Sequence, residues 1–196
     1  IHRNNRSKYI VNYSKPEEAD EPSKIKNDIV REVLKDRCAD PMTITFNSDI
    51  FSSGSGLASS SSFTLSLLKA FSVFSDDNLS EFSLCEKALA IERKFNPLTG
   101  RQDPYGCGIG GLKSMKFYKE NASPFFSFLP TDIFSALSMF LIPTNISRNS
   151  NDILEQTSNS NLSPFLTLAS QMEKALRDSD LNEFLNIINE GNPSCS

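Results

Sequence analysis

The chain has 196 residues, of which 38% are hydrophobic and 22% are charged, and its formal net charge is −4. This composition supports a folded core, and the lack of a basic block disfavours a nucleic-acid surface. The single histidine, His2, lies at the end of the sequence, which disfavours a Ser-His-Asp triad or a histidine-rich zinc site. Four widely spaced cysteines without a CxxC pair fit a reducing, cytoplasmic compartment better than a disulfide scaffold.

The first half of the chain is predicted to alternate between strands and helices. Short alternating runs with β-branched residues predict two strands, over 9–13 and 42–46. Apolar residues at helical spacing predict three helices, over 27–37, 63–74 and 79–93. The intervening segments 14–23 and 96–111 are rich in Pro, Glu or Gly and are predicted to be loops.

The second half is predicted to hold short strands followed by helices. Strands are expected over 112–118, 125–129 and 136–142, and helices over 149–157, 164–177 and 180–190. The apolar stretch 125–144 contains Asp132 and two prolines, so buried strands and a turn are expected there rather than a membrane span. We find no secretory signal at the start of the sequence. The order of elements predicts an α+β fold.

A Gly- and Ser-rich run stands directly between the second predicted strand and the apolar helix after it. The run reads Gly54-Ser55-Gly56-Leu57-Ala58-Ser59-Ser60-Ser61-Ser62. Glycines let consecutive N–H groups converge, and a helix N-terminus adds roughly half a positive charge, so the segment is suited to holding phosphate. A flexible linker or a simple helix cap is the alternative reading. The run is neither a Walker A loop nor a dinucleotide fingerprint, because it lacks GK[ST] and a third glycine.

Two carboxylates follow this run and are candidates for chemistry beside it. Glu92 ends a predicted helix, and Asp103 lies eleven residues later in a Gly-bounded segment. Each by itself is expected to be a solvated carboxylate or a turn residue. Beside a phosphate-binding segment, they and a serine could supply an oxygen ligand for Mg²⁺ and a group that orients or deprotonates an attacking hydroxyl.

These two segments resemble the second motif and the catalytic loop of the GHMP sugar kinases. The run around GLASSSS is similar to the family signature PxxxGLxSSxx, although Ser52 stands where proline is usual and Ala58 replaces a common glycine. Within the superfamily, GLASSSSFTLSLLKA, GRQDPY and PTNISRNSNDILEQ are most similar to D-glycero-D-manno-heptose 7-phosphate kinases, with the L-fucokinase kinase domain next. The resemblance covers nearly the whole chain.

The resemblance implies a role for each matching position. Asp103 would be the catalytic base, and Ser60 and Glu92 would be the Mg²⁺ ligands. Residues that would hold ATP are Gly54, Ser55, Gly56, Leu57, Ala58, Ser59, Ser60 and Ser61. Residues that would contact the sugar are Arg101, Gln102, Tyr105, Thr144 and Arg148, although Asn145 replaces a family glycine beside the last two.

The resemblance also implies a two-domain GHMP kinase fold. An N-terminal ATP-binding α+β domain is expected over 1–120, without the first strands and the first motif. A partial, ferredoxin-like C-terminal domain is expected over 121–196, without the late glycine-rich motif. We expect an exposed sheet edge from these absences, which would favour association such as a homodimer.

The implied function is ATP- and Mg²⁺-dependent phosphorylation of a sugar hydroxyl, namely the anomeric hydroxyl of a heptose 7-phosphate. One alternative is an L-fucokinase-like or other GHMP small-molecule kinase. A second is a non-catalytic remnant that binds nucleotide or a partner, since the missing motifs predict poor activity of this chain alone. Neither nucleic acid nor a membrane is an expected partner.

Overall fold

The computed structural model describes residues 1–37, 39–48, 56–118, 123–142 and 163–191. Its strands are β1 His2–Arg3, β2 Tyr9–Asn12, β3 Glu17–Ala19, β4 Met42–Thr45, β5 Lys113–Lys116 and β6 Phe125–Phe128. Its α-helices are α1 Asp28–Arg37, α2 Ser59–Phe74, α3 Glu81–Phe95, α4 Gln102–Gly108, α5 Ser163–Arg177 and α6 Leu181–Glu190. The mixture of both element types confirms the predicted α+β class. The described chain divides into two compact units between Ile109 and Gly110, earlier than the expected boundary after residue 120.

The described part of the first unit is built on a four-stranded sheet in the order β1-β4-β2-β3. The central strands β2 and β4 are parallel, with Val11 opposite Ile44, and α1 is the crossover between them. The edge strands β1 and β3 pair antiparallel to their neighbours. Val11 and Ile44 are buried, because α1 places its apolar side, with Val30 and Val33, in the core.

The segment predicted as a loop over 14–23 contains β3 and a 3-10 turn at Pro22–Lys24, so the loop prediction was wrong there. The period-2 signal of a three-residue strand is too short to recognise in a polar sequence. The polar residue Glu17 of this strand has a structural role at the start of α1. Its Oε2 and Oε1 accept hydrogen bonds from the backbone N–H groups of Lys26 at 2.6 Å and Asn27 at 3.1 Å, which fixes the entry to α1.

The segment predicted as a loop over 96–111 contains α4, which carries Asp103, so that prediction was also wrong. Pro104 is compatible with this helix because it occupies the first turn, where an N–H has no intrahelical acceptor. The glycines Gly106 and Gly108 lower the helix propensity, and burial of Tyr105 compensates for it. Tertiary packing therefore forms a helix that the local sequence does not predict.

Gly108 lies where α4 approaches α2 and α3 most closely. A Cβ atom at this position would lie 2.4 Å from Cys85 Sγ and 3.2 Å from Leu65 Cδ2. Both neighbours are buried, so they have little room to move. The glycine is therefore a packing requirement of the α3–α4 contact.

We expect Gly108→Ala to lower the free energy of unfolding by about 1–3 kcal/mol, because the added methyl overpacks the contact with Cys85. Gly106→Ala is the matched control in the same helix, since a Cβ there meets nothing within 4 Å. That control should gain about 0.5–1 kcal/mol from better helix propensity. Denaturant unfolding of both variants measures the difference, and equal effects would contradict the packing role of Gly108.

The second unit contains the two-stranded antiparallel sheet of β5 and β6 and the helical pair α5 and α6. Its buried cluster joins residues of the helices to a 3-10 turn at Asp132–Ala136: Ile133, Ala175, Leu176, Phe184 and Ile187. The expected strands over 112–118 and 125–129 and the hairpin of the last two helices are confirmed with shifted ends. None of the helices in the described part of the chain has the length and apolar content that crossing a membrane requires.

The strand predicted over 136–142 was wrong. Ile133 of the 3-10 turn enters the core, and the apolar residues from Met139 to Ile142 are exposed and have no strand assignment. An apolar alternating run forms a strand only where a neighbouring strand can pair with it. The helix predicted over 149–157 lies outside the described residues.

Candidate functional site

The N-terminus of α2 is preceded by a sharply turned backbone. Gly56 has φ of 73°, and Ala58, the residue before the helix, has φ of 51° and ψ of 33° in the left-handed region. Ser59, Ser60 and Ser61 form the first turn of α2, so the helix begins before the predicted start at Phe63. Gly54 and Ser55 lie outside the described residues.

This geometry is suited to an anion. The N–H groups of a first helical turn have no acceptor within the helix, and they point along the axis toward its open end. The helix macrodipole adds a partial positive charge at the same place. The described structure from Gly56 to Ser61 is therefore compatible with the expected contact to phosphate, and the role of each residue in holding ATP stays a prediction.

Ala58 has a backbone conformation that favours glycine, the residue that the resembling family commonly has there. We expect Ala58→Gly to raise the free energy of unfolding by up to about 1 kcal/mol, because the left-handed region costs a Cβ-bearing residue about 1–2 kcal/mol. Ala90, exposed within α3, is the control, and Ala90→Gly should lower it by about 1 kcal/mol. If denaturant unfolding shows both variants equally destabilised, the strain at Ala58 is contradicted.

Glu92 is a buried carboxylate in the last turns of α3, only 7% exposed. Its Oε1 atom is inaccessible to solvent and has no hydrogen-bond partner among the described residues. The buried hydroxyl of Ser61, in the first turn of α2, donates a hydrogen bond to the same carboxylate. An acceptor that is buried and only partly satisfied is costly in a folded protein, and this is a common property of binding and catalytic sites.

The environment of Glu92 raises the pKa of its carboxyl group. Burial is the largest cause, the hydrogen bond from Ser61 opposes it, and the negative charge of Asp103 adds to it. Asp103 itself is exposed, in the first turn of α4. The fold thus brings together the two carboxylates that the sequence singled out, one buried and one accessible.

Ser61 contacts the Glu92 carboxylate, whereas the family pattern pointed to Ser60 as the metal-binding serine. Ser60 is exposed, and its carbonyl oxygen accepts a 2.9 Å hydrogen bond from Thr64 Oγ1. Both serines belong to the first turn of α2, directly after the sharply turned backbone at Ala58. Sequence reasoning included Ser61 among the phosphate-binding residues but missed its contact with Glu92, because which serine faces α3 depends on how α2 packs.

The residues fit a magnesium ion. Mg²⁺ prefers oxygen ligands and usually takes one or two from the protein, keeping waters and substrate phosphates for the rest. The unpartnered Oε1 of Glu92 and nearby serine hydroxyls offer such oxygens. The described residues contain no group of three or more His, Cys, Asp or Glu that could enclose a metal by themselves. An ion held by this set would need water or a bound phosphate to supply its remaining oxygen ligands.

The residues expected to contact the sugar have different positions. Gln102 is exposed and Arg101 is half-buried at the start of α4. Tyr105 is fully buried: its ring packs edge-on against Phe82, with 5.6 Å between centroids, and its hydroxyl donates to Glu86 Oε1. Its side chain thus belongs to the α3–α4 interface.

Two further residues expected to contact the sugar, Thr144 and Arg148, lie outside the described residues. Sequence reasoning did not identify Glu86. The signal that could have found it is its position within the apolar side of α3, between the buried Cys85 and Ala88.

Comparison with known proteins identifies the segment that carries this site. Residues 24–111 match the family described as GHMP kinases N terminal domain. The D-glycero-alpha-D-manno-heptose 7-phosphate kinase of Campylobacter jejuni is 29% identical over 135 residues, which cover 65% of this chain and 39% of that protein. The chain therefore spans well under half the length of this curated relative.

Solved structures share the fold. A D-glycero-D-manno-heptose 1-phosphate kinase from Bacteroides thetaiotaomicron aligns with a TM-score of 0.74 at 23% identity, over 96% of this chain and 63% of that one. A crystal structure from Campylobacter jejuni aligns with a TM-score of 0.69 at 23% identity, over 97% of this chain and 61% of that one. The fold described above is therefore shared with these two structures.

Proposed function

We propose that this chain, whose residues 24–111 match the GHMP kinase N-terminal domain family, provides the nucleotide- and metal-binding part of an ATP-dependent sugar kinase. The observation that carries the proposal is the pairing of Glu92 with Ser61 beside the N-terminus of α2, with Asp103 next to it. A phosphate-binding helix end, an oxygen ligand for a divalent ion and an accessible carboxylate are the three parts that phosphoryl transfer needs.

In this proposal, different residues bind the ATP phosphates and the metal ion. The backbone N–H groups from Gly56 to Ser61 hold the phosphates of ATP at the start of α2. Glu92 and Ser60, with Ser61 bonded to Glu92, would hold Mg²⁺, which would supply positive charge to offset the charge of the ATP phosphates. Offsetting this charge lets a chain of net charge −4 bind a nucleotide.

Asp103 acts on the sugar hydroxyl. It lies at the exposed start of α4, where a substrate can reach it, and it accepts the proton of the attacking hydroxyl. Its neighbours Arg101 and Gln102 border the sugar side. The proposed acceptor is the anomeric hydroxyl of a heptose 7-phosphate, supported by the curated relative from Campylobacter jejuni.

Two measurements test this proposal. Calorimetric titration of ATP into the chain, with and without Mg²⁺, should show binding that requires Mg²⁺. The full-length gene product, given ATP and a panel of sugars, should transfer phosphate to a heptose 7-phosphate in preference to fucose. Absence of ATP binding would overturn the proposal, and transfer to fucose instead would support the L-fucokinase-like alternative. Binding without transfer to any sugar would support the non-catalytic alternative.

A further inference from the structure

A hydrogen bond between α3 and α4, from Tyr105 to Glu86, bears on where the Asp103 side chain lies. Helix α4 has only seven residues, and a helix of this length is not stable in isolation. Its orientation must therefore come from the contacts that it makes with the rest of the first unit. These contacts decide where the Asp103 carboxylate lies.

One polar contact of α4 is the hydrogen bond from the Tyr105 hydroxyl to Glu86 Oε1 on α3. Tyr105 is fully buried, and the raised pKa of its hydroxyl, caused first by burial and then by the bond to Glu86, keeps it protonated as a donor. A carboxylate acceptor makes this a charge-assisted bond, which is roughly twice as strong as a neutral one.

The geometry of the helix relates this anchor to Asp103. Asp103 and Tyr105 are two positions apart along the helix, which at 3.6 residues per turn places them about 200° apart around the axis. Tyr105 thus enters the interface while Asp103 faces the other way, consistent with its exposure. A rotation of α4 by roughly 20° would move a side chain about 5–6 Å from the axis by about 2 Å.

The same helix α3 carries both the anchor and the buried carboxylate of the site. Glu86 and Glu92 are six residues apart, so they lie about 9 Å apart along α3. Fixing α4 to Glu86 therefore fixes Asp103 relative to Glu92, whose charge interaction with Asp103 is already present. A shift of about 1 Å at a reacting group can cost on the order of 100-fold in rate.

We propose that Glu86 is a positioning residue that, through its hydrogen bond to Tyr105, sets the rotation of α4 and holds Asp103 in register with Glu92. This inference rests on the proposed kinase function and adds a requirement to it. The Tyr105 side chain is fully buried and Glu86 acts through it, so their loss should lower the rate of transfer rather than the binding of nucleotide.

The experiment compares four variants of the full-length gene product. Tyr105→Phe and Glu86→Ala remove the hydrogen bond, Glu86→Gln keeps an acceptor, and Glu81→Gln changes an exposed carboxylate on the same helix as the control. We expect kcat to fall roughly 10–100-fold in the first two, with KM for MgATP within about threefold of the original protein. Glu86→Gln should recover most of the activity, and the control should retain it.

Two further results decide the interpretation. The double variant Tyr105→Phe with Glu86→Ala should be no slower than either single variant, because all three lack the same bond. Hydrogen exchange should show faster exchange of the amides of Tyr105 in α4 and of Ile109 directly after it, while α2 is unchanged. An active original protein with unaffected kcat or unaffected α4 exchange in the variants would overturn the positioning role alone. An inactive original protein would overturn the proposed function and this role with it.

Discussion

Asp103→Asn is expected to lower the rate of phosphoryl transfer by about 10²–10⁴-fold, the range typical of a lost general base. Asparagine has the same shape but cannot accept the proton of the sugar hydroxyl. The side chain is exposed in the first turn of α4, so the fold should remain intact. Initial rates with the full-length gene product, at saturating MgATP and sugar, measure the effect.

The control for this change is Asp20→Asn, which alters an exposed aspartate outside the site. It should leave turnover unchanged, and the thermal midpoints of both variants should match that of the original protein. MgATP affinity should also be preserved in Asp103→Asn, since the aspartate is assigned to the hydroxyl rather than to the metal. Unchanged turnover in Asp103→Asn would remove Asp103 from the mechanism.

Glu92→Gln is expected to weaken Mg²⁺-dependent ATP binding while making the protein more stable at neutral pH. A glutamine oxygen is a weaker ligand for a hard cation than a carboxylate, so the Mg²⁺ requirement should shift to higher concentration. The stability gain should be about 0.5–2 kcal/mol, the range typical of relieved strain at functional sites. Calorimetry with MgATP and denaturant unfolding without metal measure the two effects.

The stability effect of Glu92 has a defined dependence on pH. Burial raises the pKa of Glu92 in the folded protein above its value in the unfolded chain, so the folded state holds the proton more tightly. The contribution of Glu92 to the free energy of unfolding is therefore fully present below its pKa in the unfolded chain. It is lost as the pH rises through its pKa in the folded protein. Above that range the carboxylate is charged in both states, and the loss is constant.

This pH dependence can be measured by comparing the unfolding of Glu92→Gln and the original protein at two pH values. Glu92→Gln should match the original protein near pH 4 and exceed it above the raised pKa. Adding Mg²⁺ should narrow the gap at neutral pH, because the ion favours the ionised, folded site of the original protein. Glu81→Gln, at an exposed position on the same helix, should show neither effect. A stability gap independent of pH would contradict the burial of a charged Glu92.

The candidate site residues of this protein were proposed from the sequence and from its resemblance to a kinase family, and their roles stay predictions. The Gly- and Ser-rich run before an apolar helix, and the two carboxylates eleven residues apart, indicated a phosphate and metal site before any contact was known. Residue type suggests the phosphate segment because every helix N-terminus has unpaired N–H groups and a partial positive charge. The amphipathic helices were predicted for a similar reason, since a period of 3.6 residues is a local property.

Only the tertiary structure decided which serine contacts Glu92 and that Asp103 stands on a helix. Ser61 rather than Ser60 contacts Glu92 because of the way α2 packs on α3, and packing is not encoded by spacing within one helix. Helix α4 forms against its own low propensity because Tyr105 and Gly108 fit the surface of α3. Contacts between residues distant in sequence supply that energy, which is why a local pattern predicted a loop where the fold makes a helix.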